Sequence, residues 1–236
     1  MTESATELSP RYALYYAPQG GELYELGRHW LARDVRAGED MPPPDWPGLD
    51  HREHGEIIAA PHRYGFHGTL KPPFHLIEHS TESDLLLAVD RFAVPRKKFE
   101  LPPLELRVMN DFIALMPEGP CAELDLLARA CVEEFDRFRA PMTSAERARR
   151  LDANLTPRQE ELVAEYGYPY VLDQFRFHLT LTGSIAEADR ARWLELLKRF
   201  WAPALGRRVP VEGVAVFRAP GLNMSYSEIG FFPFGA

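Results

Sequence analysis

Two short segments of this chain repeat one another. Gly65-Phe66-His67-Gly68-Thr69-Leu70 and Arg176-Phe177-His178-Leu179-Thr180-Leu181 share Phe-His-x-Thr-Leu, and their histidines stand 111 residues apart, about half of the 236-residue chain. Imidazole titrates near ~6.5, so two facing histidines can hold one neutral base and one charged acid near neutral pH. A phosphodiester needs such a pair. One imidazole takes a proton from the attacking water and the other gives one to the departing alkoxide, each transfer worth ~10²–10⁴-fold in rate. Sequence leaves open which histidine does which.

The elements that position these residues follow from their flanks. Each segment follows an aromatic stretch and ends at a turn former, Pro72-Pro73 or Gly183, which predicts a strand of about five to eight residues in each case. Alternation in a strand then gathers Arg63, His67, Thr69 and Lys71 on one face and sends Phe66 and Leu70 to the other. In the second strand Arg176, His178, Thr180 and Thr182 share a face opposite Phe175, Phe177, Leu179 and Leu181. Such strands suit a sheet with one face on the core and one lining a polar cleft. There Thr69 and Thr180 are placed to donate hydrogen bonds to non-bridging phosphate oxygens, and Arg63, Lys71 and Arg176 to oppose charge that grows in the transition state. This set calls for no metal and no other cofactor. A single Phe-His-x-Thr strand is ordinarily structural; two copies with matching parity and basic flanks favour a site.

The rest of the chain reads as a frame for the two strands. Residues 1–10 are polar and without period, a disordered lead-in. Arg11 to Ala17 is the first strand, Glu22 to Arg33 an amphipathic helix and 38–55 a proline-broken loop. A helix follows at Glu82–Phe92, a hairpin at Phe99–Met116 turning near Asn110-Asp111, and a helix at Ala122–Arg139. The stretch 141–170 is a polar, Arg-rich excursion holding one short helix capped at Thr156. Glu187–Trp201 is a final helix, and Val209–Phe217 and Leu222–Phe232 are strands around Pro220-Gly221. The fold class is therefore α+β: a single bilobal domain over 11–236, with two pseudo-symmetric halves, antiparallel sheets lining a central cleft and helices outside.

Composition narrows the class of partner. With 45% apolar and 26% charged residues the chain is globular, and 27 basic against 35 acidic residues give a net charge of −8, which opposes broad contact with extended nucleic acid. A small anionic substrate in a local basic pocket remains compatible. No apolar run reaches the ~20 residues of a membrane span, and the N-terminus lacks a signal-peptide pattern; a cytoplasmic monomer is expected. Cys121 and Cys131 would sit ~15 Å apart along one helix, too far for a disulfide. His51-Arg52-Glu53-His54, expected in a loop, lacks the H-E-x-x-H order, and His75 and His79 flank a proline-rich stretch, so none of them suggests a metal site.

The paired motifs resemble those of the two-histidine (2H) phosphoesterase superfamily, which includes bacterial RNA 2′,3′-cyclic phosphodiesterases formerly called RNA ligases. The fuller strings RYGFHGTLKPPF (63–74) and RFHLTLTGS (176–184) resemble most a branch encoded with phosphonate-degradation genes. The resemblance runs from Arg11 to the C-terminal strands, and both motifs fit without substitution. It implies a bilobal fold with the two motif strands meeting in a cleft, His67 and His178 catalytic, and Thr69 and Thr180 binding phosphate. The activity it implies is hydrolysis of a small cyclic phosphodiester, with a ribose 1,2-cyclic phosphate of phosphonate breakdown as first substrate. The alternatives are an RNA-end enzyme acting on 2′,3′-cyclic termini or 2′–5′ linkages, and a phosphate-ligand sensor without turnover.

Overall fold

A computed structural model describes residues 9–151 and 154–235. Its frame is one antiparallel sheet of seven strands, in the order β11-β10-β1-β4-β8-β7-β6. These are β1 (Arg11–Tyr16), β4 (Gly68–Phe74), β6 (Leu104–Met109), β7 (Phe112–Pro117), β8 (Leu179–Thr180), β10 (Gly213–Ala219) and β11 (Ser227–Pro233). The short strands β2 (Arg33–Asp34) and β3 (Glu39–Asp40) pair with each other, as do β5 (Phe99–Leu101) and β9 (Val209–Val211). The two motif strands, β4 and β8, are neighbours at the centre. Around them the halves exchange hairpins: β6–β7, from the N-terminal half, flanks β8, while β10, from the C-terminal half, flanks β1 and so the β4 side. The expected pseudo-symmetry is present, with both halves joined into a single sheet.

Alternate side chains of β1, nearly all of them buried, divide between the two faces of that sheet. Tyr12, Leu14 and Tyr16 enter the main core, whereas Ala13, Tyr15 and Ala17 join a smaller cluster with Val35, Phe217 and Tyr226. Helices α1 (Gly21–Trp30), α2 (His51–His62), α3 (Glu82–Ala93), α4 (Ala122–Phe135) and α7 (Glu187–Trp201) supply the other side of the main core. Burying the side chains of Trp30, Trp201, Phe135 and Leu14, each under 2% exposed, contributes about 1.5–3 kcal/mol apiece. Two further helices, α5 (Ser144–Leu151) and α6 (Pro157–Tyr166), form the excursion. Thr156 caps α6 with the expected box to Gln159 and Gly167 closes it in the left-handed region.

The expected loop over 38–55 is corrected at its end. Asp50 accepts from the backbone N–H groups of Arg52 and Glu53 and starts α2, an aspartate cap that outweighs the breaking effect of Pro47-Gly48 just before it. His54, Ile58 and Pro61 then bury one helical stripe. Pro61 is tolerated in the last turn. His54 is not a loop residue: it is fully buried, with Nε2 against the Trp30 carbonyl at 2.8 Å. Trp30 in turn donates from Nε1 to the Leu181 carbonyl at 2.8 Å, so α1 and α2 are tied to the second motif.

The motif strands are also shorter than expected. Only Leu179–Thr180 of the second segment is laddered, and the first begins at Gly68 because Gly65 takes φ +68°. That turn leaves Arg63 at the end of α2, outside the strand. β4 continues through Pro72 and Pro73 because its ladder with β8 ends at Gly68, so the missing N–H groups interrupt nothing on that side. Likewise the expected strand 209–217 divides at Glu212, its first part pairing with β5. No helix among the described residues is long and apolar enough to cross a membrane.

Candidate active site

The central pairing sets the site. Gly68 is the antiparallel partner of Leu179, so in the same register His67 stands opposite Thr180 and His178 opposite Thr69. Leu179 is buried in the core, and the alternation of strands turns these four neighbours to the other face. Close approach at this crossing depends on glycine: a Cβ on Gly68 would lie 2.3 Å from Phe177 Cε2 and 2.5 Å from Cζ. The two x positions of the repeated motif thus do different work, a glycine receiving the Phe177 ring on one strand and a core leucine on the other.

Both imidazoles are held in the same way. His67 Nδ1 lies 2.9 Å from the Gly65 carbonyl and His178 Nδ1 2.7 Å from the Arg176 carbonyl, each two residues upstream. A carbonyl only accepts, so Nδ1 carries the proton in both rings and Nε2 keeps its lone pair in the neutral form. The Thr69 hydroxyl approaches His67 Nε2 at 3.4 Å, long enough for a phosphate oxygen to take its place. Tyr15 fixes the plane of His67 by stacking, with centroids 3.8 Å apart and planes at 24°. Phe112 lies beside His178 at 5.7 Å. Gly65 is itself constrained: its φ is positive and a Cβ would meet Val35 Cγ1 at 1.9 Å.

Burial lowers the pKa of both imidazoles. That of His67 falls to about 4, with the Gly65 hydrogen bond opposing the shift and the charge of His178 adding to it. His178 is lowered by burial and partly restored by its bond to Arg176. Burial, not nearby arginine charge, is thus the leading cause. In the free protein at pH 7 both rings are neutral, and an anion between them would be needed to draw a proton onto one.

His67, Thr69 and Thr180 line one cleft of about 620 Å³ together with Tyr15, Tyr64 and Phe112. The basic residues expected beside them are elsewhere. Lys71 is 2% exposed, and its Nζ donates to the Val132 carbonyl at 3.0 Å and to Asp136 Oδ1 at 3.2 Å. A bulge explains this correction. Thr69 pairs with Tyr15 but Lys71 pairs with Leu14, so the parity slips by one residue and Lys71 turns to the core side with Leu14. Arg63 donates to Asn223 Oδ1 at 3.1 Å and to the Tyr64 hydroxyl at 2.8 Å, which makes it a support for the Tyr64 wall. Arg176 is exposed and serves His178 through its carbonyl.

The cleft's arginines come instead from Arg11 and from the excursion, as Arg149 and Arg150, followed by Leu155 and Tyr168 to Tyr170. The excursion expected to stand apart from the core is therefore a wall of the site. Its Arg-rich composition was the available signal, but no spacing rule links it to the motifs. Thr182, expected on the polar face, spends its hydroxyl on the backbone of Ile113 and Gly183. Among the described residues no three His, Cys, Asp or Glu side chains gather as a cation site.

Residues 69–226, about two thirds of the chain, match the family model described as a protein of unknown function, DUF1045. A protein of Janthinobacterium sp. (strain Marseille) named ribose 1,5-bisphosphate phosphokinase PhnN is 38% identical over 186 residues, covering 78% of this chain and 41% of that protein. Its namesake from Laribacter hongkongensis (strain HLHK9) is 34% identical over 218 residues, 92% of this chain and 50% of the relative. The chain spans about half the length of the curated relatives it matches. Among solved structures, E. coli LigT in its apo form is similar in fold, with a TM-score of 0.51 at 16% identity over 97% of this chain and 99% of LigT. The chain belongs to the DUF1045 family, and its fold is that of E. coli LigT.

Proposed function

We propose that this chain is a phosphodiesterase that opens a small cyclic phosphodiester to a monoester by paired histidine catalysis, without a metal. The observation that carries this reading is the identical tethering of both rings. Two Nδ1–H groups are each committed to a carbonyl two residues upstream, which leaves two Nε2 atoms on neighbouring strands for proton transfer. One neutral Nε2 takes a proton from water as its oxygen attacks phosphorus. The P–O bond to the ring alkoxide breaks, and that alkoxide takes the proton of the other, charged imidazole. The Thr69 and Thr180 hydroxyls hold the non-bridging oxygens. Pure phosphate sensing would not require two matched titratable groups.

A ribose 1,2-cyclic phosphate is the substrate favoured first. Opening it at O2 leaves a 1-phosphate, the position shared with the ribose 1,5-bisphosphate of the relatives' name. This chain has no G-x-x-x-x-G-K-[ST] phosphate loop, so the kinase of that name is assigned to the half of the relatives that lies outside the match. One feature favours a second reading, an RNA-end enzyme: Phe112 and the half-exposed Tyr170 stand at the cleft, where they offer faces for a base. Phosphorus NMR on ribose 1,2-cyclic phosphate and on adenosine 2′,3′-cyclic phosphate, with His67→Ala as control, tests both. Turnover of the ribose compound alone selects the first reading and of the adenosine compound alone the second. Binding with no turnover of either means a sensor.

A further inference from the structure

We infer that the cleft holds a second phosphate subsite, formed by Arg11, Arg149 and Arg150, so that the molecule it takes carries a further phosphoryl group besides the one between the histidines. This deepens the phosphodiesterase reading and rests on it for the identity of the first phosphate. Arg11 and Tyr15 lie on the same face of β1, four residues or about 13 Å apart along the strand, and Tyr15 stacks on His67. Arg11 therefore marks one end of the cleft and the histidine the other. The excursion helix α5 brings Arg149 and Arg150 into the same cleft.

Three observations point to an anion at that end. Among the described residues, the buried Nε of Arg11 has no hydrogen-bond partner, while its Nη2 donates to the Pro73 carbonyl at 3.3 Å. The Arg150 guanidinium lies 4.9 Å over the Tyr168 ring, a placement that orients its fork. Burial lowers the pKa of Arg150, the charges of Arg11 and Arg149 add to that shift, and Tyr168 and Glu146 oppose it, so three guanidinium groups are held together in a chain of net charge −8. Glu146 shares an adjoining small pocket with all three arginines and offsets part of their charge, but its carboxylate also accepts from the Thr143 backbone N–H and hydroxyl and lies 3.9 Å from His75 Nε2. Gathering three guanidinium groups costs free energy that a bound dianion offsets, and a phosphomonoester accepts the fork geometry of arginine.

The test compares kcat/KM for two pairs of substrates: ribose 1,2-cyclic phosphate with and without a 5-phosphate, and adenosine 2′,3′-cyclic phosphate with and without a 5′-phosphate. The wild-type protein should prefer the phosphorylated member of at least one pair by ~10-fold or more. Arg149→Ala/Arg150→Ala should reduce that preference to within about threefold, and Arg150→Lys, which keeps charge but loses the fork, should fall between. The pair that shows the preference identifies the sugar. Calorimetric titration with ribose 5-phosphate gives a readout independent of turnover, with affinity falling ~10-fold or more in the double variant. If neither cyclic compound is turned over but this affinity is lost in the double variant, the subsite stands and the phosphodiesterase reading falls. Turnover with no preference in either pair, and variants that bind ribose 5-phosphate as the wild type does, overturns the subsite alone.

Discussion

Gly68→Ala tests whether the crossing of the two motif strands sets the geometry of both histidines. The added Cβ would meet the Phe177 ring at 2.3 and 2.5 Å, where carbon atoms prefer about 3.5–4.0 Å. Phe177 must therefore retreat by about 1 Å or β4 must move away from β8. The ring has little room, being 5% exposed and packed edge-on to Tyr16 at 5.7 Å. Overpacking of this kind costs about 1–3 kcal/mol, read as a lower midpoint in urea at unchanged slope. Because Phe177 immediately precedes His178, the same shift displaces one imidazole relative to the other. A misplacement near 1 Å costs about 10²-fold in rate, so kcat on whichever cyclic phosphate proves to be the substrate should fall by that order. Phe177→Leu on the Gly68→Ala background removes the atoms that collide and should restore a large part of both losses. Unchanged stability and rate in Gly68→Ala, or a double variant no better than the single, would show that the crossing does not govern the site.

Other consequences follow from the same geometry. His67→Ala and His178→Ala should each lower turnover at least ~10²-fold, with the double variant little worse because the pair acts as a unit; a single variant of near-normal rate would end the two-histidine mechanism. Since burial lowers both imidazoles, the singly protonated pair should peak on the acid side of ~6.5 in kcat/KM and at higher pH in kcat, where bound phosphate raises both values; a flat profile from pH 5 to 9 would remove proton transfer from the rate-limiting step. His67 also links to stability. The unfolded chain takes up its proton near ~6.5 and the folded chain only at about 4, so its contribution is whole above pH ~6.5 and is lost as pH falls toward 4. The loss is on the order of 2–3 kcal/mol, and His67→Gln should flatten the denaturation midpoint against pH over that window. Lys71→Met should cost about 1–3 kcal/mol, less than a fully isolated buried pair because Asp136 keeps two bonds to Arg139, and should leave KM within about twofold. A tenfold rise in KM at wild-type stability would return Lys71 to phosphate binding. Activity should persist after exhaustive chelation, and loss reversed by a divalent ion would replace the mechanism with a metal-assisted one.

Much of the fold was legible because it rests on local rules. The period of Glu187–Trp201, the Asn110-Asp111 turn and the Thr156 box each carry their own signal, and the structure places the corresponding elements there. The cap at Asp50 was legible too, but Pro47-Gly48 dominated the reading of its neighbourhood. At the candidate site, the sequence by itself determined that His67 shares a face with Thr69 and His178 with Thr180, since residues two apart on a short strand share a face whatever the tertiary context. Extending that parity to Arg63 and Lys71 failed. A left-handed glycine at 65 and a bulge after Thr69 each reset the alternation; the first goes with packing against Val35 and the second with pairing to β1, residues thirty or more positions away in sequence. Only the tertiary structure decided where the positive charge of the cleft comes from. Arg11 precedes the first motif histidine by 56 residues and Arg150 precedes the second by 28; no local periodicity relates residues so far apart, and it is the sheet order and the fold of the excursion that bring them to one cavity.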